Sequence, residues 1–95
     1  MAPDGVLVSV NDDPVAGRDG VRAAVRWFGQ AIAGIGHEIV RAWRIGDTVI
    51  VELRVTYTRH DGGELVLPCT NIFDLAGPGL IARYQIFMDM TPVFA

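Results

Sequence analysis

At 95 residues the chain holds one small domain, near the lower end of what buries a self-sufficient core. Apolar residues make up 51% of it and no polar low-complexity run occurs, which excludes intrinsic disorder, while a net charge of −3 leaves no electrostatic footprint for nucleic acid. One cysteine, Cys69, excludes an internal disulfide framework and fits a reducing compartment.

No apolar run approaches the roughly 20 residues of a membrane span. The opening Met1-Ala2-Pro3-Asp4-Gly5 lacks the basic and apolar regions of a signal peptide. A cytoplasmic protein is therefore expected. Its basic residues are all Arg, spread from Arg18 to Arg83 without forming a phosphate-binding patch.

The first predicted element is a strand at Gly5–Val10, ended by Asn11-Asp12-Asp13-Pro14, where Asn and Asp bond locally to backbone and proline holds its predecessor extended. A helix follows from Arg18 to Ile32. Val21, Ala24, Val25, Phe28, Ala31 and Ile32 recur at helical spacing and form one apolar stripe. Asp19 suits the positive end of the helix, and Gly34 and Gly36 are expected to stop it.

Four antiparallel strands are predicted next: His37–Ile45, Thr48–Arg59, Glu64–Leu75 and Leu80–Met90. Their turns are Gly46-Asp47, His60-Asp61-Gly62-Gly63 and Ala76-Gly77-Pro78-Gly79. A three-residue loop at His60-Asp61-Gly62, with Gly62 left-handed, sets Thr58 opposite Glu64, Tyr57 opposite Leu65 and Leu53 opposite Cys69. A two-residue loop would set Glu52, Arg54, Thr56 and Thr58 among the apolar residues. The first register is therefore preferred, because a slip of one residue turns every side chain to the wrong face.

In that register Leu53, Val55 and Tyr57 share one face with Cys69, Asn71 and Phe73. A four-residue loop at 76–79 would place Phe73 opposite Ala82, Asn71 opposite Tyr84 and Cys69 opposite Ile86, which adds Tyr84, Ile86 and Met88 to that face. The helix stripe around Val25 and Phe28 should cover it. His37, Ile39, Arg41 and Trp43 fall on the opposite face with Ile50, Val66, Ile72 and Phe87. So many large apolar groups suit a self-complementary sheet-to-sheet contact, hence a homodimer. The fold class is α+β: a curved antiparallel sheet, or cone, packed on one main helix, spanning residues 1–95 as a single domain.

Several short stretches carry a family resemblance. Asp13-Pro14-Val15, Gly17-Arg18-Asp19-Gly20, His37-Glu38, Trp43, Gly46-Asp47, Val55-Thr56-Tyr57-Thr58-Arg59 and Leu67-Pro68 are among them. So are Asn71-Ile72-Phe73-Asp74-Leu75 and Ile86-Phe87-Met88-Asp89-Met90-Thr91-Pro92. Together they resemble the SnoaL-like families of the nuclear transport factor 2-like superfamily, which includes ketosteroid isomerases, polyketide cyclases and limonene epoxide hydrolase. The resemblance implies a sheet wrapped around a pocket and a dimer through the outer face. It also implies one or two further helices closing the cone, which should end about where Met1 stands.

By the same resemblance Asp13 corresponds to the general-base aspartate of ketosteroid isomerase. A carboxylate at the rim of an apolar cup is a usable base toward a carbon acid. Asn71 falls where the isomerase has a protonated aspartate, and an amide can still donate to a developing enolate. The isomerase's other donor, a tyrosine, belongs to the closing helices, which leaves Tyr57 or Tyr84 as inner-face substitutes. An epoxide-hydrolase site needs an Arg and two acids around one water, whereas Asn71 and Ile86 stand at the expected positions.

The remaining polar residues point to structure. Asp89 should face outward at a strand end, His37 should lie on the outer face, and His60 should be solvated in its loop. No third residue at ligand spacing accompanies the histidines, so neither metal nor cofactor is implied. Cys69 has no histidine placed to activate it and is expected to be a small buried hydrophobe. Gly77-Pro78-Gly79 is a turn, because no helix follows it.

The expected function is binding of a small apolar, polyketide- or steroid-like molecule, with proton transfer next to a carbonyl as the chemistry of an active form. The ligand would sit against Phe28, Leu53, Val55, Tyr57, Cys69, Phe73, Tyr84, Ile86 and Met88. The alternative is a non-catalytic ligand-binding or dimerisation module, which need not show a carboxylate-linked pH dependence. No nucleic-acid or membrane partner is expected.

Overall fold

In chain order the elements are β1 (Val6–Ser9), β2 (Val15–Ala16), α1 (Arg18–Ala31), β3 (Gly34–Ile45), β4 (Thr48–Thr58), β5 (Glu64–Gly77), β6 (Leu80–Phe87) and α2 (Thr91–Phe94). They come from a computed structural model that describes residues 1–94. The strands form one six-stranded sheet in the order β2-β1-β6-β5-β4-β3.

The spine is the β4–β5 hairpin, and its register is the predicted one: Thr58 opposes Glu64, Leu53 opposes Cys69 and Val51 opposes Asn71. Its loop is closed by Arg59 N–H donating to the Gly63 carbonyl at 2.8 Å, with Gly62 at φ 87. A residue with a Cβ would be strained there, so glycine is what lets three residues reverse the chain. The side chain of Asp61 accepts from Gly63 N–H at 2.9 Å and secures the turn.

Three features depart from the sequence reading. The sheet is mixed, because β1 runs parallel to β6, with Leu7 opposite Tyr84 and Ser9 opposite Ile86. These strands lie at opposite ends of the chain, so no tight turn obliges them to be antiparallel.

The β5–β6 hairpin turns over Pro78-Gly79 alone, with Gly77 opposite Leu80 and Gly79 at φ 74. Proline suits the first corner of such a turn and glycine the second. The shorter turn shifts the register by two residues from the predicted one, so Phe73 opposes Tyr84 and Asn71 opposes Ile86. A shift of two keeps Tyr84 and Ile86 on the inner face while changing their neighbours. Between the Asp74–Arg83 and Leu75–Ile81 pairs the ladder is irregular, and Ala82 has no cross-strand partner.

The third departure is in β3, which begins at Gly34 and not at His37. Its pairing with β4 breaks between Ile39 and Arg41, leaving Val40 as a bulge. Residues before the bulge therefore share the face of their partners: His37 opposes Val55 and Ile39 opposes Leu53, both inner residues. The prediction of an outer His37 and Ile39 is corrected by that one extra residue. Arg41 and Trp43, opposite Glu52 and Ile50, stay outside.

Helix α1 ends because Ile32 turns extended (φ −127) and Ala33 N–H bonds to the Thr58 carbonyl at 2.8 Å, feeding the chain into β3. Gly34 and Gly36, expected to stop the helix, lie in that strand. No residue of α1 is fully buried, and Val25 is 61% exposed. The helix therefore stands off the sheet: Val21, Ala24, Phe28 and Ala31 of its stripe are half-buried, and Phe28 packs on the core. That core joins Ile32, Leu53, Val55, Tyr57, Cys69 and Val93 of α2, with Val55 at 1% exposure.

Candidate functional site

The gap between α1 and the inner sheet face is a cavity of about 440 Å³. β4 contributes Leu53, Val55 and Tyr57, β5 contributes Cys69 and Asn71, and β6 contributes Tyr84 and Ile86. Phe28 forms part of the helix side, with Met88 on the segment that follows β6. Strand alternation delivers the sheet residues to one side together. Of the predicted ligand-binding residues, Phe73 does not line the cavity. The shifted β6 register sets its ring against Tyr84, with centroids 4.4 Å apart.

Asp13 is also outside the wall, and Asp12 lines it instead. β1 ends at Ser9, Val10 takes φ 56, and Asp12 N–H bonds to the Ser9 carbonyl at 2.9 Å. That turn presents Asp12 at the cavity mouth and leaves Asp13 off the wall, both carboxylates being exposed. The family resemblance points to Asp13 for this carboxylate, whereas the turn brings its neighbour Asp12 to the wall.

Leu7 and Ser9 reach the wall through the parallel pairing of β1, and Ile35 and His37 through the β3 bulge. Neither arrangement leaves a mark in the alternation pattern. Trp27, 63% exposed, completes the helix side of the mouth.

Inside the wall, Cys69, Asn71 and Tyr84 form one connected polar group. Asn71 is the one buried polar side chain among the described residues. Its Oδ1 accepts from Cys69 Sγ–H at 3.2 Å, and its Nδ2 donates to Tyr84 Oη at 3.1 Å. Tyr57 donates to Met88 Sδ at 3.2 Å, and its ring forms a T-shaped pair with Phe28, with centroids 5.9 Å apart.

Burial pushes the Tyr57 phenol up to about 12, with smaller contributions from Cys69 and Tyr84. Burial also raises Tyr84, with Cys69 adding to it, and burial alone raises the Cys69 thiol. All three groups stay protonated at neutral pH. Cys69 is accordingly a weak donor and not a thiolate nucleophile.

Two outlying residues shape the site. His60 is exposed in its loop, as the sequence suggested, and its Nε2 also lies 2.8 Å from the Gln30 carbonyl, so the ring caps the last turn of α1. Asp89 is exposed, as predicted at a strand end. Its carboxylate accepts from Thr91 N–H at 3.0 Å, which starts α2 and holds its carboxyl below the usual range. Among the described residues no group of three His, Cys, Asp or Glu could hold a metal ion. No described helix is long and apolar enough to cross a membrane.

The sequence pattern of the SnoaL-like domain matches residues 1–84. The chain belongs to the SnoaL-like domain family. No curated protein sequence matches this SnoaL-like chain.

Among solved structures it is similar to a protein described as a SnoaL-like polyketide cyclase from Jannaschia sp. CCS1, at 20% identity and a TM-score of 0.87, covering 99% of this chain and 70% of that one. It is similar to a protein with the ketosteroid isomerase-like fold from Catenulispora acidiphila DSM 44928, at 20% identity and a TM-score of 0.88, covering 98% and 72%. It is also similar to an epoxide hydrolase of the LEH-like type from M. tuberculosis, at 17% identity and a TM-score of 0.79, covering 99% and 68%. At these identities the likeness is one of fold, and it fixes the nuclear transport factor 2-like architecture of this SnoaL-like domain.

Proposed function

We propose that the protein binds a small, largely apolar ketone of polyketide or steroid type and moves a proton next to its carbonyl. The observation that carries this reading is the cavity itself: apolar walls, a polar patch at Asn71 and Tyr84, and a carboxylate, Asp12, at the mouth. Sites for small molecules are commonly built this way, with apolar lining for affinity and a few polar groups for orientation. The polyketide cyclase named among the structural relatives supports the ligand class. The epoxide-hydrolase alternative lacks support from the residues, since Asn71 and Ile86 occupy the wall.

In the proposed step the carboxylate takes a proton from the carbon next to the carbonyl, and the oxyanion that develops is met by the Asn71–Tyr84 patch. Asp12 replaces Asp13 as the base because it is the member of the pair on the cavity wall. No cofactor enters this step. A cytoplasmic setting belongs to the proposal, supported by the single buried free cysteine. So does a homodimer through the outer sheet face, where Trp43 is 45% and Val66 62% exposed.

The test is exchange of the α-protons of 1-tetralone in deuterated water, followed by proton NMR. The protein should accelerate exchange, and Asp12→Asn should remove the acceleration while binding stays within about 1 kcal/mol. Binding without acceleration in the wild type would favour the non-catalytic ligand-binding module.

A further inference from the structure

The Asn71 side chain is engaged at both ends inside the wall, by Cys69 Sγ–H on Oδ1 and by Tyr84 Oη on Nδ2. Tyr84 is less buried than Asn71 and faces the same cavity. A phenol has one proton and two lone pairs. With the Asn71 N–H on a lone pair, the proton of Tyr84 is left for another acceptor, and no described residue takes it. Donating into a hydroxyl also polarises it and strengthens its own O–H as a donor.

The ring of Tyr84 is held from the side by Phe73, which fixes the direction of the hydroxyl. Its neighbours on the inner face are apolar, with Leu7 opposite it on β1 and Ile86 two residues on along β6.

We infer that Tyr84 is the ligand-facing hydrogen-bond donor of the cavity, that Asn71 is its positioning residue, and that the ligand presents a carbonyl or enolate oxygen to Tyr84. The inference rests on the proposed use of this cavity as an apolar ligand site. It reassigns the contact with the oxygen from the amide to the phenol. Burial and the neighbouring Cys69 keep the phenol protonated above its ordinary range, so it donates across the neutral and mildly alkaline region.

The experiment compares 1-tetralone with tetralin, which has the same bicyclic frame without the carbonyl. Affinities are measured by calorimetry, and the carbonyl stretch of bound 1-tetralone is read by infrared difference spectroscopy. In the wild type the stretch should fall below its value in cyclohexane. Tyr84→Phe should return it toward that value and weaken 1-tetralone about tenfold, with tetralin unchanged. Asn71→Ala should broaden the band and weaken 1-tetralone less, again sparing tetralin.

A persistent red shift in Tyr84→Phe, or equal effects on both ligands, would overturn the assignment. Loss of the shift in Asn71→Ala alone would return the contact to the amide. A wild-type stretch equal to that in cyclohexane would overturn it without any variant. If neither ligand binds the wild type, the apolar ligand site itself falls, and this assignment falls with it.

Discussion

Asn71 and Tyr84 are joined by a 3.1 Å hydrogen bond although the cross-strand partner of Asn71 is Ile86. The bond is diagonal: the two-residue turn at Pro78-Gly79 slides β6 so that Tyr84 stands beside Phe73, and its hydroxyl then reaches back to the amide. A longer turn would have set the two residues directly opposite. The polar patch of the cavity therefore depends on a hairpin loop at the far end of the strand.

Lengthening that loop should test the dependence. Inserting one glycine between Pro78 and Gly79 should unsettle the β6 register and weaken 1-tetralone binding about tenfold. Chemical shifts of the Asn71 side-chain amide should move with it. Unchanged shifts would show that pairing elsewhere in the sheet holds β6 in place.

The cavity predicts a muted cost for core truncation. Leu53 is buried in the core and also lines the cavity, so part of its surface has no packed neighbour to lose. Leu53→Ala should destabilise the protein by about 2 kcal/mol, the low end of such substitutions. Urea unfolding would check this, and a loss near 5 kcal/mol would mean that the site is packed solid.

Alkaline pH should destabilise the fold. Tyr57 titrates near 10.0 when unfolded and at about 12 when folded. Between those values the native state carries one more proton than the unfolded chain, so stability falls as pH rises. The contribution is complete below about pH 10 and fades through pH 12, amounting to roughly 2–3 kcal/mol. Cys69 and Tyr84, both raised, act in the same direction. Chemical denaturation between pH 8 and 12, marked off in about half-unit steps, should show the fall, and Tyr57→Phe should reduce it.

The His60 ring should anchor the helix over the cavity. His60→Ala removes the cap on the Gln30 carbonyl and should cost about 1 kcal/mol. The emission of Trp27, at the cavity mouth, should shift as α1 loosens. A variant with unchanged emission and stability would show that Phe28 packing on Tyr57 suffices to seat the helix.

Charge placed on the outer face should act on assembly and spare the cavity. Val66→Arg is expected to shift sedimentation toward the monomer while leaving the affinity for 1-tetralone intact. A wild-type protein that sediments as a monomer at every concentration would remove the proposed dimer.

What could be read from the sequence was whatever depends on local chemistry. The β4–β5 register followed from the left-handed need at Gly62 and from the penalty for slipping Glu52 and Arg54 inward. Most of the cavity lining on β4, β5 and β6 followed from that register and from period-two alternation. The remaining wall depends on events without a local signature. Val40 bulges because of how β3 pairs with β4, β1 joins β6 from across the whole chain, and Val10 turns at φ 56. His37, Leu7 and Asp12 were missed for those three reasons respectively.

Val40 also has a bearing on the shape of the cup. Ile39 opposes Leu53 and Arg41 opposes Glu52, so excising Val40 would leave an uninterrupted run of pairs. The ladder does not require the residue. What the residue adds is a local increase in twist and bend on one strand. Along β3 the odd-numbered positions thus serve two surfaces, with His37 turned to the cavity and Trp43 to the outside. A deletion there would preserve the hydrogen bonding and straighten the strand, opening the vessel without unravelling its wall.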